Sequence, residues 1–320
     1  MKVSVVMATY NGSKYINQQL ESLRDQSKKI DEVRIYDDGS SDNTIAIVER
    51  FIADNDIDDS WVIKMNESSK GAYLNFIEGS LECSGDIIFF CDQDDFWELD
   101  KVEKMVSGFE KHDDMLACYC LERYVDAQGN EIKHSFQFTH NVKAEQAEFK
   151  KVSLNQNIKY NKCPGLCLAV KRELLEEVAP FIIKYNLMHD LPFGNVAALK
   201  GGFYVLNEKL VNYRQHSSNL SAPKLTMMSR FKNIDYQIRG RKGRYRQMNA
   251  FYQEYKEEMD AETKSNLRKE VIKIQKSIEY LERRKIIPLF FQIWDGNPMD
   301  NRWIAINNLM CALCAGKKNG

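Results

Sequence analysis

The sequence predicts an α/β protein, with a mostly parallel sheet flanked by helices and a helical region after it. Three observations carry that expectation. Over residues 2–122, apolar runs of strand length alternate with stretches whose apolar residues recur at helical spacing. Small polar clusters close successive strands, at the sheet edge where parallel sheets bind ligands. The charge is divided along the chain: residues 1–221 hold 25 basic and 35 acidic side chains, whereas residues 222–320 hold 20 and 11. Two regions are therefore expected, 1–222 and 223–320, with different partners.

Taken in order, Lys2–Ala8 reads as a strand and Tyr10-Asn11-Gly12-Ser13 as a turn, with Ser13 capping a helix that carries Tyr15, Ile16, Leu20 and Leu23. Glu32–Tyr36 is a second strand. Asp37 to Asp42 forms a turn and cap for a helix bearing Ile45, Ile47, Val48, Phe51 and Ile52. Trp61–Met65 is a third strand, Tyr73–Leu81 a helix, and Asp86–Cys91 a fourth strand ending in Asp92-Gln93-Asp94-Asp95. A helix over Lys101–Glu110 and a strand over Met115–Glu122 follow. Beyond the turn at Asp126–Asn130, Leu166–Val170 reads as a strand, Arg172–Val178 as a short helix, and Phe203–Leu206 and Leu210–Tyr213 as two strands. His189-Asp190 stands before Leu191–Leu199, where Asp190 suits a helix cap and Pro192 its first turn. From Pro223 onward the chain reads as helical and basic.

Composition narrows the class. With 43% hydrophobic and 28% charged residues, the 320-residue chain is globular in type, not disordered or fibrous. No apolar run approaches the roughly 18 residues of a spanning helix, and Met1–Val6 lacks the features of a signal peptide, so a cytoplasmic protein is expected. The eight cysteines are scattered without a disulfide pattern. Cys163-x-x-x-Cys167 and Cys311-x-x-Cys314 each lack the second pair of a zinc site. Neither a dinucleotide-binding nor a P-loop glycine pattern is present, which disfavours those nucleotide enzymes.

The Asp92-x-Asp94 pair is the most informative local feature. Crowded carboxylates repel, so a loop holds them best around a divalent cation such as Mg²⁺ or Mn²⁺, shared with substrate phosphates. A solvated acidic turn is the alternative for any such pair taken alone. Here the pair follows Val3–Asn11 and Asp37-Asp38-Gly39-Ser40-Ser41-Asp42, lies within Phe90-Cys91-Asp92-Gln93-Asp94-Asp95-Phe96-Trp97, and precedes His189-Asp190 and Tyr213-Arg214-Gln215-His216. In that order the segments resemble the family 2 glycosyltransferases of GT-A fold, and within them bacterial rhamnosyltransferase-type members. The resemblance covers about residues 1–220.

The resemblance implies a role for each matching residue. Ala8, Tyr10 and Asn11 would meet the nucleotide, Asp38 its base, and Lys70 and Asn75 would lie in a third nucleotide-contacting segment. Asp92 would contact the ribose or the donor sugar. Asp94 would ligate Mn²⁺ or Mg²⁺, with His216 completing that site, and Asp95 would support it. Asp190 would be the general base, with His189 in the position usually held by an acidic residue. The implied reaction is inverting transfer of a sugar from a nucleotide-diphosphate donor (dTDP-rhamnose first, a UDP-sugar second) to a hydroxyl of a surface-polysaccharide or lipid-linked glycan. A nucleotidyltransferase is the nearest enzyme alternative, although Thr9-Tyr10-Asn11-Gly12 is not its glycine-rich, basic loop.

Arg239 to Arg246 packs five basic residues into eight, and the apolar segments Ile286–Trp294 and Trp303–Ala315 follow. That pattern suits peripheral contact with an anionic membrane at the cytoplasmic face, or a bundle that packs or forms a homo-oligomer. Nucleic acid as the partner of the basic patch is a further alternative. The acidic strand ends argue against it, because they repel phosphate unless loaded with metal.

Overall fold

The computed structural model describes residues 1–132, 148–160, 163–216 and 234–283. The chain divides into two compact units, Met1–His216 and Ser217–Gly320. The expected boundary at 222/223, and the segments Ile286–Trp294 and Trp303–Ala315, lie outside the described residues.

In the first unit, β1 (Val3–Thr9), β2 (Glu32–Asp37), β3 (Trp61–Met65) and β4 (Ile87–Asp92) are mutually parallel in the order β3-β2-β1-β4. Helices α1 (Ile16–Arg24), α2 (Thr44–Asp54) and α3 (Ala72–Glu82) make the crossovers. β1 and β4 are central strands, and Val3, Val5, Val6, Met7 and Ile87–Cys91 are fully buried, as expected for strands covered on both faces. The chain leaves β1 to one side for β2 and β3 and returns on the other side as β4. The loops after β1 and β4 therefore meet at a topological switch point. Register places Ala8 opposite Asp92 and Thr9 opposite Asp37, so the three polar clusters share one edge.

The sheet continues from β4 through β8 (Leu168–Lys171) and β6 (Ala117–Val125), both antiparallel pairings, to β9 (Phe203–Arg214), which is parallel to β6. Two short strands flank β9: β5 (Phe96–Trp97), pairing Phe96 with Asn212, and β7 (Phe149–Lys151). The β5 pairing brings the acidic loop after β4 against the far end of β9. Helices α4 (Lys101–Lys111), α5 (Leu154–Tyr160), α6 (Arg172–Tyr185) and α7 (Asp190–Leu199) complete this unit.

Several local expectations differ from the structure. Ser13 is not a helix cap: α1 starts at Ile16, and the Ser13 N–H donates to Asp42 Oδ2 at 3.1 Å. Asp190 is the first residue of α7, with His189 at the cap position. The two strands expected over Phe203–Tyr213 are one, because the polar stretch Asn207-Glu208-Lys209 is absorbed by register shifts against β6. α6 runs past Pro180 to Tyr185, since Phe181 and Ile182 bury on its inner face, and it ends on Asn186 in the left-handed region. The elements β5, β7 and α5 have no counterpart in the sequence reading.

The second unit contains α8 (Ile234–Tyr255) and α9 (Ala261–Glu282), the latter capped by Asp260, whose Oδ1 accepts the Thr263 N–H at 2.8 Å. Met248, Phe251 and Tyr255 of α8 are buried, as are Leu267, Val271, Ile274, Ile278 and Leu281 of α9. Arg241 Nε donates to Ser277 Oγ at 3.2 Å, and Arg244 faces Glu270 at 3.8 Å. Lys242 pairs with Glu282 at 2.7 Å, so three of the five basic residues in 239–246 reach α9, while Arg239, Lys242 and Arg246 are exposed. Among the described residues no helix is long and apolar enough to cross a membrane.

Glycines offer a test of packing in the two units. A Cβ on Gly79 of α3 would lie 2.7 Å from the Tyr36 ring and 2.8 Å from Val6 Cγ2, whereas one on Gly243 of α8 meets nothing within 4 Å. Gly79→Ala is expected to destabilise by about 1–3 kcal/mol through overpacking. Gly243→Ala should stabilise its helix by about 0.5–1 kcal/mol. Urea unfolding followed by circular dichroism reads both, and equal effects would refute the packing described here.

Candidate active site

The loop after β1 is tied to two neighbours. The Tyr10 N–H donates to Gln93 Oε1 and Gln93 Nε2 donates to the Tyr10 carbonyl, both at 2.9 Å. The Asn11 N–H donates to Ser40 Oγ, and Asn11 Oδ1 accepts the Ser41 N–H, both at 2.8 Å. A Cβ at Gly12 would lie 2.2 Å from Gln93 Oε1, so a larger residue there would have to displace the Gln93 amide from Tyr10. With its backbone held this way, the Tyr10 ring is 56% exposed over the switch point.

Asp37 and Asp38 divide the next cluster. Asp37 closes a turn by accepting the N–H groups of Gly39 and Ser40, and it also accepts Thr9 Oγ1 at 2.8 Å. Asp38 faces the segment after β3. Its Oδ1 accepts Asn66 Nδ2, the Lys70 N–H and Asn75 Nδ2, and its Oδ2 accepts Ser69 Oγ and the Gly71 N–H, all between 2.6 and 3.0 Å. Burial alone pushes the Asp38 pKa upward, but these donors outweigh it and bring it to about 2. The structure thus brings Asp38, Lys70 and Asn75 together. Asn75 is fully buried and acts on the pocket through Asp38, and Lys70 arrives by its backbone, its ammonium pairing with Glu78 at 2.5 Å.

The acidic loop is the electrostatic centre. Burial, then the charges of Asp94 and Asp190, push the Asp92 carboxyl up to about 7. Asp95 is raised by burial and by Asp94 and Asp92, against a hydrogen bond from the Arg214 N–H to Oδ1 at 2.9 Å, and among the described residues its Oδ2 has no hydrogen-bond partner. Asp94 Oδ2 stands 2.8 Å from His216 Nε2. The sequence reading quoted Arg214 and gave it no role. Its fully buried guanidinium donates to the Asp94 carbonyl at 2.8 Å, the Ala127 carbonyl at 3.1 Å and Gln18 Oε1 at 2.6 Å. It also lies over Tyr15, whose ring packs on His216 with centroids 4.7 Å apart. The signal available in the sequence was an arginine on an otherwise apolar strand end, two residues before a histidine.

Asp190 lies near enough for its charge to add to the upward shift of Asp92. Burial raises its own pKa to about 6, against the Leu191 N–H, which donates to Oδ1 at 2.8 Å. His189 points the other way, stacked on Phe90 at 4.5 Å and against Phe76 at 4.8 Å. Burial lowers its pKa to about 3, so the ring is neutral, and among the described residues neither nitrogen has a hydrogen-bond partner.

The family model described as Glycosyl transferase family 2 matches residues 4–179, which include β1, β4 and the acidic loop. The chain belongs to glycosyltransferase family 2. An uncharacterized glycosyltransferase of Nostoc sp. is 27% identical over 220 residues, 68% of this chain and 66% of that protein. The dTDP-rhamnosyl transferase RfbG of Shigella flexneri is 25% identical over 244 residues, 71% of this chain and 78% of that protein. Across the next three curated relatives after the Nostoc protein, the matched region spans 51%, 36% and 19% of their lengths. A mannosyltransferase of Pyrobaculum calidifontis, solved with GDP-Man and Mn²⁺, superposes with a TM-score of 0.60 at 14% identity, covering 100% of this chain and 88% of that one. That likeness shows the fold, which is the GT-A arrangement of a mostly parallel sheet flanked by helices.

The donor set around Asp94 fits a divalent cation. A carboxylate oxygen and an imidazole nitrogen converge at 2.8 Å, with the unpartnered Asp95 Oδ2 in the same loop. Among the described residues no group of three or more His, Cys, Asp or Glu side chains forms a metal cage. Two protein ligands with the balance from phosphate and water is how Mg²⁺ and related ions commonly bind.

Proposed function

We propose that the chain is a metal-dependent inverting glycosyltransferase. It would move a sugar, with rhamnose the first choice, from a nucleotide-diphosphate donor to a hydroxyl of a surface-polysaccharide or lipid-linked glycan. The observation that carries this reading is the convergence at the end of β4: Asp94 meets His216, and the charge of Asp190 is felt at Asp92. The naming of the Shigella relative supports rhamnose, and the family match favours sugar transfer over nucleotidyl transfer.

In this reading Ala8, Tyr10, Asn11 and the Asp38-anchored segment with Lys70 and Asn75 hold the nucleotide, and Asp92 holds the ribose or the donor sugar. Asp94 and His216 would hold a Mn²⁺ or Mg²⁺ ion, which when bound would supply charge neutralisation at the departing diphosphate. Asp190 takes the proton of the acceptor hydroxyl as its oxygen attacks the anomeric carbon, and a single displacement inverts that centre. The Leu191 N–H orients Oδ1, and among the described residues Oδ2 makes no hydrogen bond. A carboxyl held near 6 is suited to this task, being ionised at neutral pH yet basic enough to accept a proton.

The exposed charges Arg239, Lys242 and Arg246, together with the net basic balance of residues 222–320, support peripheral association with an anionic membrane, where a lipid-linked acceptor resides. The buried inner faces of α8 and α9 support the bundle reading equally.

Four measurements test this reading. Nucleoside-diphosphate release from a panel of dTDP-, UDP- and GDP-sugars should require Mn²⁺ or Mg²⁺ and be nearly abolished by Asp94→Asn; full turnover in excess EDTA would sink the metal dependence. Asp190→Asn should lower turnover by about 10² or more while leaving donor affinity near normal. The wild-type rate should rise with pH through about 6, where Asp190 loses its proton, and level off above it; donor affinity collapsing in the variant would move Asp190 to the donor site. Finally, full-length protein should co-sediment with phosphatidylglycerol vesicles, less so at high salt. Replacing Arg239, Lys242 and Arg246 together by Glu should weaken binding, and indifference to both changes would leave the second unit as a packing element.

A further inference from the structure

Lys101, the first residue of α4, is 0% exposed. Nothing in the donor or base chemistry above uses it, and a buried ammonium is costly unless its partners compensate. Its Nζ donates to the Leu166 carbonyl at 3.2 Å and lies 3.3 Å from the centroid of the Trp97 ring, with the Phe89 ring at 5.8 Å. Burial lowers its pKa, and the opposing pull of the Asp95 carboxyl does not cancel that; the buried Cys91 and Cys167 thiols, pushed well above their ordinary value, are neutral. Phe89 lies in β4, which ends at Asp92, and Trp97 lies in β5, directly after the acidic loop. The ammonium thus stands on the strands that carry the donor loop.

Among the described residues its hydrogen-bond acceptor is the Leu166 carbonyl, in the segment that leads into β8. Leu166 lies in a single tight turn, Gly165–Cys167, closed by the Cys167 N–H on the Pro164 carbonyl at 3.0 Å. That turn presses on His189: a Cβ at Gly165 would come within 2.5 Å of His189 Nε2. The His189 ring cannot retreat, because Phe90 and Phe76 stack against it at 4.5 and 4.8 Å. The next residue is Asp190. A continuous line of contact therefore runs from the Lys101 ammonium through the Leu166 carbonyl and the glycine turn to the imidazole, and from there to the start of α7.

We propose that Lys101 is a positioning residue of the transfer site: its ammonium clamps the Gly165–Cys167 turn against His189 and so fixes where Asp190 stands relative to the donor loop. An apolar side chain of similar length would fill the same space, but it would leave the Leu166 carbonyl without a donor and the turn without a directional tie. The inference rests on the reading of Asp190 as the base, and its test separates the two.

The test compares full-length protein with Lys101→Met, which keeps volume and removes charge and donor. Hydrogen–deuterium exchange is expected to quicken at least tenfold at the amides of residues 165–167 and 189–191 and to stay unchanged in β1 and β2. Binding of UDP, GDP or dTDP with Mn²⁺, by calorimetry, should remain within twofold, while kcat for nucleoside-diphosphate release falls at least tenfold. The thermal midpoint should hold or rise, because the variant no longer buries a charge. Gly165→Ala, which drives a methyl group into His189 with Lys101 intact, should show the same loss of kcat with nucleotide binding retained. Unchanged exchange at 165–167 in Lys101→Met overturns the clamp. A lowered midpoint, with turnover falling only in step with folded protein, makes Lys101 a structural residue and overturns it as well. If Asp190→Asn keeps full turnover the base assignment fails, and the exchange result still decides whether Lys101 holds the turn.

Discussion

Three carboxylates in four residues at the end of β4 repel one another, and much of the first unit is arranged to hold them there. Asp92, Asp94 and Asp95 have different surroundings: Asp94 leans on His216, Asp95 receives a backbone N–H of β9, and Asp92 sits opposite Ala8 in the register. Positive charge is supplied from the interior, since Arg214 and Lys101 are both buried beside the loop. Two buried basic side chains and one imidazole are thus packed around the acidic loop. The long strand β9 follows from the same constraint, because only an element reaching the β4 loop can deliver Arg214 and His216 to it.

The parallel core was legible because it is built from the strongest local signals. β1 and β4 are apolar throughout, and the clusters after β1, β2 and β4 were placed on one edge by the switch-point rule before any contact was known. The irregular half was less legible. A two-residue strand such as β5 has no periodicity to detect, and its existence depends on Asn212 and Val211 lying alongside. The short helix expected over Arg172–Val178 continues through Pro180 to Tyr185, because Phe181 and Ile182 are buried on it. The site shows the same division. Asp38, Asp94 and His216 could be named from the order of motifs, whereas Arg214 and Lys101 could not be told from solvated charges. Only burial and partner geometry distinguish an interior cation from a surface one.

In the second unit the sequence overstated one feature and was silent on another. The run from Arg239 to Arg246 looked like a continuous basic face, yet helical geometry turns Arg241 and Arg244 toward α9, where Ser277 and Glu270 receive them. Long cationic side chains can line a helix interface with their stems while the head groups find partners. The outward charge is thus smaller than the count of basic residues implies. The Asp260 cap, by contrast, lies in the unremarked stretch Asp260-Ala261-Glu262-Thr263 and sets where α9 begins.

Asp38 spends its carboxylate on the chain itself, accepting donors from Asn66, Ser69, Lys70, Gly71 and Asn75. Two of those donors, at Lys70 and Gly71, are backbone N–H groups, which any non-proline residue at position 70 would still offer. Glu67, Ser68 and the Lys70 side chain contribute nothing to the anchor. The segment after β3 is therefore built like a cassette: a hinge pin shared by the scaffold, carrying side chains that evolution or an engineer can exchange without loosening the mount. Diversification of such a pocket needs no change in the sheet beneath it, only new lettering on a loop that already knows its place.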